Sequence, residues 1–189
     1  PTHHRPPLKA SSRRTLDLAP LWSPPPLPPP PPPLAPLRNA IRGFAITNGF
    51  EFYDSREQRG FLRTLMIRNT TQGEVMVLIQ FFEEQTENIN LLLNYIKNSF
   101  SQVTSLLYCI NSKGNDSLYD QEILCFSGKT YITEQLDGLK FRITAKSFYQ
   151  TNPKQAASLY AIAKEFAQLK PQDTVYDLYT GTGTIALSL

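Results

Sequence analysis

Histidine and cysteine are scarce in this 189-residue chain, and their placement excludes several kinds of site. The only histidines, His3 and His4, lie near the N-terminus, so the rest of the chain has no imidazole to act as a general base or a metal ligand. The two cysteines, Cys109 and Cys125, are 16 residues apart and have no neighbouring cysteine or histidine. That spacing fits neither a metal site nor a disulfide framework. We expect reduced thiols and no bound metal.

Long apolar runs are also absent from the sequence. No stretch approaches the ~20 apolar residues that a membrane-spanning helix needs. The N-terminus lacks the apolar segment of a secretory signal peptide. We therefore expect a soluble, cytoplasmic protein without a membrane partner.

Proline is nearly absent after residue 36, because fourteen of the sixteen prolines precede residue 37. Proline lacks a backbone N–H and fixes φ, so residues 1–36 are predicted to be a disordered or polyproline II tail. Its PxxP repeats fit a ligand of SH3-type or WW-type domains, but a linker without a partner is the simpler interpretation. The tail also holds the positive charge. Residues 1–42 carry six basic and one acidic side chain, +5, whereas residues 43–189 carry 13 basic and 15 acidic, −2.

Hydrophobic periodicity predicts a central α+β domain over residues 37–150. An amphipathic helix precedes a hairpin made of FLRTLMIRN and EVMVLIQFF, and a second helix carries an apolar stripe from Ile89 to Phe100. Strands follow at VTSLLYCIN, EILCF, YITEQ and LKFRITAKSF. We expect these strands to form an antiparallel sheet.

Residues 151–189 have the pattern of a different fold, a Rossmann-like α/β domain of which only the beginning is present. Asn152 and Pro153 are a strong helix start. The helix is predicted to bury a stripe made of Ala156, Leu159, Tyr160, Ala163 and Phe166. DTVYDLY then reads as a buried strand, and TGTGTIALSL as a glycine turn that opens a helix.

The glycine turn is the first candidate binding site. Gly181 and Gly183, spaced by one residue after a strand, let the backbone turn tightly and approach a ligand. The spacing also fits a dinucleotide-binding motif that ends at Ala186. Asp177 favours a different ligand, because a fixed carboxylate repels a pyrophosphate but suits the ammonium and sulfonium of S-adenosylmethionine. We therefore place Asp177, Gly181 and Gly183 in a site for S-adenosylmethionine, with NAD as the alternative.

The segment FYQTNP is the second candidate. In an extended chain Phe148, Gln150 and Asn152 project to the same side. An aromatic ring can stack on a nucleobase, and an amide can both donate and accept hydrogen bonds. The alternative is that Phe148 belongs to the core and Asn152 only caps the helix.

The two motifs together resemble the RNA (uracil-5-)-methyltransferases of ribosomal and transfer RNA. In that family an F-x-Q-x-N segment precedes a helix and a D-L-[FY]-x-G-x-G turn, as in SFYQTNPKQAASLYAIAKEFAQL followed by VYDLYTGTGTIAL. GFLRTLMIRNTTQGEVMVLIQFF resembles the family's RNA-facing central domain. The resemblance covers residues from about 40 to the end.

The resemblance implies S-adenosylmethionine-dependent methylation of uridine C5 in RNA, with 23S ribosomal RNA favoured over transfer RNA. It implies that Gln150, Tyr179 and Thr184 contact the cofactor. The family often has asparagine at the position of Thr184. Phe148 would lie beside the target uracil.

Departures from the family pattern limit what this chain is expected to do. The family's nucleophilic cysteine and general base lie downstream of the glycine turn, so we expect them beyond Leu189 and expect residues 1–189 to be inactive alone. Neither Cys109 nor Cys125 matches the nucleophile.

Two other functions remain open. One is an RNA-binding module without catalysis, whose phosphate contacts would be Arg63, Arg68, Lys140, Arg142 and Lys146. A solvated strand face explains the same residues. The other is a fragment of a nicotinamide-dependent oxidoreductase, built on the glycine turn.

Overall fold

The computed structural model describes residues 34–189, so nearly all of the predicted proline-rich tail lies outside the described residues. The first helix, α1, spans Leu34–Thr47 and starts three residues before the predicted domain boundary. Pro36 lies in its first turn, where the missing N–H has no intrahelical acceptor to lose. Leu37, Ile41 and Ala45 are buried as the periodicity predicts.

Apart from the strand predicted at DTVYDLY, the remaining elements follow the predicted order with small shifts of their ends. They are β1 Leu62–Asn69, β2 Val75–Phe81, α2 Thr86–Ser99, β3 Val103–Ile110, β4 Leu124–Gly128, β5 Tyr131–Leu136, β6 Leu139–Thr144, α3 Pro153–Ala167 and α4 Thr184–Ser188. β1 to β4 form a four-stranded sheet in that order, and β5 and β6 form a separate antiparallel hairpin.

The prediction of an antiparallel sheet is wrong for one pair of strands. β2 and β3 are parallel, with Val77 opposite Leu106 and Ile79 opposite Tyr108, whereas β1–β2 and β3–β4 are antiparallel. The reason is the connection, since α2 crosses between β2 and β3 and returns the chain to the same end of the sheet. The central domain therefore has a mixed sheet with one β-α-β unit.

β2 is the centre of the core, and all seven of its residues are buried. Val75, Val77, Ile79 and Phe81 pack with α1 and α2 on one face of the sheet. Met76 and Leu78 face the opposite side, where Ile132 and Ile143 of the β5–β6 hairpin cover them. The hairpin is thus a second layer, and its last strand leads directly into the candidate site.

The region after residue 150 departs most from prediction. Of the predicted stripe on α3, Ala156 and Tyr160 are buried, but Leu159 is 56% exposed and Phe166 80% exposed. DTVYDLY forms no strand, and its Tyr176 is 82% exposed. A strand is stabilised by ladder hydrogen bonds to a neighbour, and the described residues place none beside it.

Candidate functional site

The segment that carries Phe148 and Gln150 is held to the sheet by one arginine of β1. Nη1 of Arg68 donates to the carbonyl oxygens of Thr144 at 3.1 Å and Ser147 at 2.7 Å. Burial lowers the pKa of the Arg68 guanidinium, although an arginine remains charged at any physiological pH. This clamp joins residues 76 and 79 positions apart in the sequence, and it fixes the start of the segment relative to the core.

Side chains beyond the clamp alternate between the surface and the interior. Phe148 is 73% exposed, and Gln150 is also exposed. Tyr149 between them points inward and packs against Leu136, Phe141 and the buried residues of α3. The alternative that Phe148 is a core residue is therefore wrong, because an extended backbone that buries Tyr149 turns its neighbours outward.

Gln150 lines a cavity of 270 Å³ at the junction of the hairpin, the β1–β2 turn and α3. Its other lining residues include Arg68, Thr70, Glu134, Tyr149 and Pro153. The Tyr149 hydroxyl is buried there without a hydrogen-bond partner among the described residues. Burial raises the pKa of Tyr149 to about 12, and the nearby Glu134 adds to the effect. The cavity thus combines apolar walls with a few polar groups, as small-molecule sites do.

The glycine turn has the tight geometry predicted from its two glycines. Gly181 has a φ of +54° and Gly183 a φ of +80°. Both angles lie in the left-handed region that residues other than glycine rarely adopt. The Gly183 N–H donates to the Thr180 carbonyl oxygen at 2.7 Å and closes the turn. α4 then begins at Thr184.

Asp177 stabilises the entry to this turn through both its side chain and its backbone. Its Oδ1 accepts from the Tyr179 N–H at 3.3 Å, and its carbonyl oxygen accepts from the Thr180 hydroxyl at 2.8 Å. Its other carboxylate oxygen, Oδ2, is buried with no hydrogen-bond partner in residues 34–189. A buried, unpaired carboxylate oxygen is costly, so this atom has the chemistry to receive a cationic ligand group.

The fold brings the two candidate motifs together at one point. A Cβ atom added at Gly181 would lie 3.9 Å from the carbonyl oxygen of Phe148. The glycine turn therefore packs against the backbone of the F-x-Q-x-N segment. Residues of the two candidate motifs, more than thirty positions apart in the sequence, therefore meet in space.

Two predicted cofactor contacts occupy very different environments. Tyr179 is 96% exposed, so its ring is free to pack against a ligand. Thr184 is 9% exposed, and its hydroxyl lies 3.0 Å from the Tyr160 hydroxyl of α3. In this arrangement Thr184 joins the glycine turn to the helix that follows the F-x-Q-x-N segment.

Sequence reasoning missed Arg68 as the clamp and Tyr160 as the partner of Thr184. Arg68 was only a candidate phosphate contact, because nothing local distinguishes an exposed arginine from one that bonds carbonyls 76 residues away. The helical period places Tyr160 in the apolar stripe of α3, and nothing in the sequence indicates the hydrogen bond of its hydroxyl to Thr184. Asn152 was read correctly, since its side chain accepts from the Gln155 N–H and caps α3.

Residues 34–189 contain no group of three or more histidine, cysteine, aspartate or glutamate side chains that could hold a metal ion. No helix in this range is long and apolar enough to cross a membrane.

Comparison with known proteins identifies relatives over most of the chain. This chain is 55% identical over 137 residues to an uncharacterized RNA methyltransferase of Porphyromonas gingivalis. The match covers 72% of this chain and 30% of that protein. A similar protein of Bacteroides thetaiotaomicron is 47% identical over 153 residues, covering 79% of this chain and 34% of the relative. The chain is homologous to RNA methyltransferases. The resemblance drawn from the two motifs is thereby confirmed.

A solved structure shares the fold of this RNA methyltransferase homologue. The tRNA (uracil-54, C5)-methyltransferase of Pyrococcus abyssi, in complex with S-adenosyl-L-homocysteine, matches with a TM-score of 0.61 and 25% identity. The match covers 79% of this chain and 35% of that protein. The present chain spans about a third of the length of the two bacterial relatives that it matches. No family model matches the sequence.

Proposed function

We propose that this chain forms the base-facing and cofactor-facing part of an S-adenosylmethionine-dependent enzyme that methylates C5 of uridine in RNA in the cytoplasm. The observation that carries the proposal is the packing of the Gly181 turn against the backbone of Phe148. It joins a base-stacking aromatic ring and a ligand-binding turn in one place. The relatives named RNA methyltransferases support it.

The residues of the turn fit S-adenosylmethionine. Gly181 and Gly183 leave the backbone open to a ligand, and the unpaired Oδ2 of Asp177 suits the ammonium of the methionine part. A pyrophosphate would be repelled by the same carboxylate, which argues against the nicotinamide-dependent alternative. We propose that Gln150 donates or accepts a hydrogen bond at the cofactor and that Tyr179 packs against it. We also propose a cofactor contact from Thr184, whose hydroxyl lies within hydrogen-bond distance of the Tyr160 hydroxyl in this structure.

Phe148 is proposed as the residue beside the target base. Its ring is 73% exposed although it is large and apolar, and its backbone carbonyl oxygen lies against the glycine turn. An exposed aromatic ring can stack on a base that has left its helical stack. The backbone around it is anchored by Arg68, so the ring is presented from a fixed position.

The chemistry requires a thiolate that the cysteines of this chain do not supply. Uracil C5 is a poor nucleophile until a thiolate adds at C6; C5 then takes the methyl group, and a base removes the C5 proton as the thiolate leaves. S-adenosylmethionine supplies the electrophilic methyl group. Cys109 is fully buried, and burial raises the pKa of its thiol to about 11. Cys125 is exposed on β4, in the four-stranded sheet, and not on the segment or turn described above.

Methyl transfer by two proteins tests this proposal. Residues 1–189 should transfer no methyl group from labelled S-adenosylmethionine to uridine-containing RNA, whereas the full-length protein that carries this segment should do so. The methylation assay uses two transcripts. One is 23S ribosomal RNA, the substrate that the sequence favours, and the other is transfer RNA, the substrate named for the Pyrococcus abyssi enzyme. Turnover by residues 1–189 would show that the catalytic nucleophile lies within these residues and not beyond Leu189.

Titration of S-adenosylhomocysteine into the full-length protein tests the cofactor contact. Gln150→Ala should weaken binding by roughly 5-fold to 150-fold, because an unsatisfied polar partner costs about 1–3 kcal/mol. Gln135→Ala, a change of the same kind at an exposed position on the hairpin, is the control and should leave the affinity unchanged. Equal dissociation constants for Gln150→Ala and wild type would remove Gln150 from the site.

A further inference from the structure

The five basic residues considered for RNA contact differ in what their side chains already bind. Nη1 of Arg63 donates to the carbonyl oxygens of Asn111, at 2.7 Å, and Lys113. Its guanidinium also lies 4.6 Å from the centre of the Tyr53 ring. Arg63 therefore holds the loop after β3 in place, and its Nη1 is committed to backbone carbonyl oxygens.

Arg68 and Lys146 are engaged in the same way. Arg68 clamps the segment after β6, and Nζ of Lys146 donates to the Tyr119 carbonyl oxygen at 3.1 Å. Three of the five basic side chains thus bind the protein's own backbone. Lys140 and Arg142 make no hydrogen bond or ion pair with any described residue, and both are exposed.

Lys140 and Arg142 project from one face of the β5–β6 hairpin, which we call the outer face. Alternation along the two strands buries Ile132, Glu134 and Leu136 of β5 and Phe141 and Ile143 of β6. The other side chains form the outer face, with Thr133 opposite Arg142 and Gln135 opposite Lys140. Its members are Tyr131, Thr133, Gln135, Lys140, Arg142 and Thr144.

No carboxylate of the hairpin belongs to the outer face. Glu134 is 2% exposed and points inward, where it accepts from the N–H groups of Thr71 and Gln135. Asp137 lies in the turn between the strands. The face therefore carries two positive charges and no negative one, although residues 43–189 as a whole carry a net charge of −2.

The acidic side chain that lines the edge of the outer face, Glu74, is paired with a lysine. Oε1 of Glu74 lies 3.0 Å from Nζ of Lys129, and Oε2 accepts from the Thr133 N–H at 2.7 Å. Glu74 and Gln72 form one wall of an open recess of 600 Å³, whose floor is the outer face. Lys129 and Glu74 offset each other's charge, so the net positive charge of the recess comes from Lys140 and Arg142.

The outer face also contains a flat surface for stacking. The Arg142 guanidinium lies 4.9 Å from the centre of the Tyr131 ring, and Nζ of Lys129 lies 5.9 Å from it. An arginine plane against an aromatic ring, flanked by further cations, is the combination with which proteins hold unpaired bases and their phosphates. A sheet face that is open and polar in this way does not belong to the core of the protein.

We propose that the outer face of the β5–β6 hairpin binds the phosphate backbone of a single-stranded RNA segment, with Lys140 and Arg142 as the phosphate contacts. The choice of RNA as partner rests on the proposed function, and the location rests on the charges and contacts above. Binding here is independent of sequence, since phosphate contacts position a nucleic acid without reading it.

Fluorescence anisotropy with a labelled single-stranded RNA oligonucleotide tests the proposal on the intact 189-residue chain over a series of salt concentrations. The test variant is Lys140→Gln/Arg142→Gln. The matched control is Lys97→Gln/Arg56→Gln, which removes one lysine and one arginine from exposed positions outside the hairpin. The basic tail is the same in all proteins, so it contributes equally to each measurement.

The test variant should bind roughly 2-fold to 30-fold more weakly at low salt, as expected for the loss of two exposed ion pairs. The slope of log K against log salt should fall by about 1.4, because each contact to a single strand contributes about 0.7. The control should keep the wild-type slope, and Arg142→Lys, which keeps the charge, should nearly keep it. Thermal unfolding of each variant confirms that the hairpin remains folded.

Three results would overturn the proposal: equal slopes for wild type and test variant, an equal loss in the control, or no RNA binding by the wild-type chain. None of them decides the proposed function, which stands or falls on methyl transfer and cofactor binding by the full-length protein. Conversely, if the full-length protein transferred no methyl group, the proposed function would fail, but the result of the RNA-binding measurement on the hairpin would still stand.

Discussion

The helices α2 and α3 have nearly the same length, 14 and 15 residues, and both carry a regular apolar stripe. α2 buries Ile89, Leu92, Leu93 and Ile96 against the sheet. α3 buries only Ala156 and Tyr160. α3 forms nonetheless, because Asn152 caps its first turn and Pro153 starts it. A helix can therefore be specified locally, whereas its burial depends on a partner surface.

The same contrast separates the two halves of the described chain. Residues 34–145 enclose apolar side chains on both faces of the sheet. Residues 153–189 leave large apolar side chains such as Phe166, Tyr176 and Leu178 at least 80% exposed. We propose that this second half is the beginning of an α/β domain whose further strands would cover these side chains. The comparison between the halves can be tested by matched substitutions.

Truncation of a leucine on each helix should give the largest difference. Leu93→Ala on α2 should lower the free energy of unfolding by about 2–5 kcal/mol, because it removes a fully buried side chain and leaves a cavity. Leu159→Ala on α3, where the side chain is 56% exposed, should change it by about 0.5 kcal/mol or less. Urea unfolding of the 189-residue chain measures both.

The same pair of variants sharpens the domain proposal. In the full-length protein, Leu159→Ala should approach the cost of Leu93→Ala if further strands cover α3. Equal, small effects of Leu159→Ala in both lengths would show that α3 remains a surface helix, and the proposed α/β domain would lose its main support.

The second prediction compares the two arginine clamps of β1. Arg68→Ala should raise amide hydrogen exchange in residues 145–150, since the carbonyl oxygens of Thr144 and Ser147 lose their donor. The loss of a hydrogen bond to a charged group, about 1.5–3 kcal/mol, corresponds to roughly 10-fold to 150-fold faster exchange where the segment opens locally. Mass spectrometry of exchanged peptides measures the rates.

Arg63→Ala is the matched control for this measurement. It should raise exchange in residues 111–115, which Arg63 holds through Asn111 and Lys113, and leave residues 145–150 unchanged. Faster exchange in both segments for both variants would mean that the arginines stabilise the whole sheet and do not act as separate clamps.

Local signals in the sequence were sufficient for most elements of the first half. Alternation in EVMVLIQFF and the 3.6-residue period of α2 depend on side chains that face one shared core, so pattern and burial agree. The direction of β3 was not predictable from its own residues. It depends on α2 being a crossover between strands, which is a property of the connection.

The candidate site divides in the same way between local and distant causes. The glycine turn was predictable, because Gly181 and Gly183 have the positive φ angles that their spacing indicated. The exposure of Phe148 and the inward direction of Tyr149 were not, since they depend on the hairpin and α3 on either side. The strand predicted for DTVYDLY failed because periodicity reports an apolar segment and not the neighbour that would pair with it.

The smallest predicted effect concerns the one side-chain hydrogen bond between α3 and α4 within the described residues. The hydroxyls of Tyr160 and Thr184 lie 3.0 Å apart in a buried environment, whereas residues 173–180 between the two helices are largely exposed. Tyr160→Phe should lower stability by about 0.5–1.5 kcal/mol, the usual net worth of a hydrogen bond. The ring remains, so the packing around Leu136 and Phe141 should be kept.

The loss in Tyr160→Phe should appear locally, as faster amide exchange in residues 181–188, because the hydroxyl pair is what ties the glycine turn to α3. Tyr179→Phe removes the same group from a side chain that is 96% exposed, and it should change neither stability nor exchange. If the two variants behaved alike, the hydroxyl of Tyr160 would not be holding the turn, and Thr184 would be available for the cofactor contact proposed for it. The hydrogen-bond geometry favours the opposite result, in which Thr184 acts as an anchor of the turn and Asp177, Gln150 and Tyr179 remain to meet the ligand.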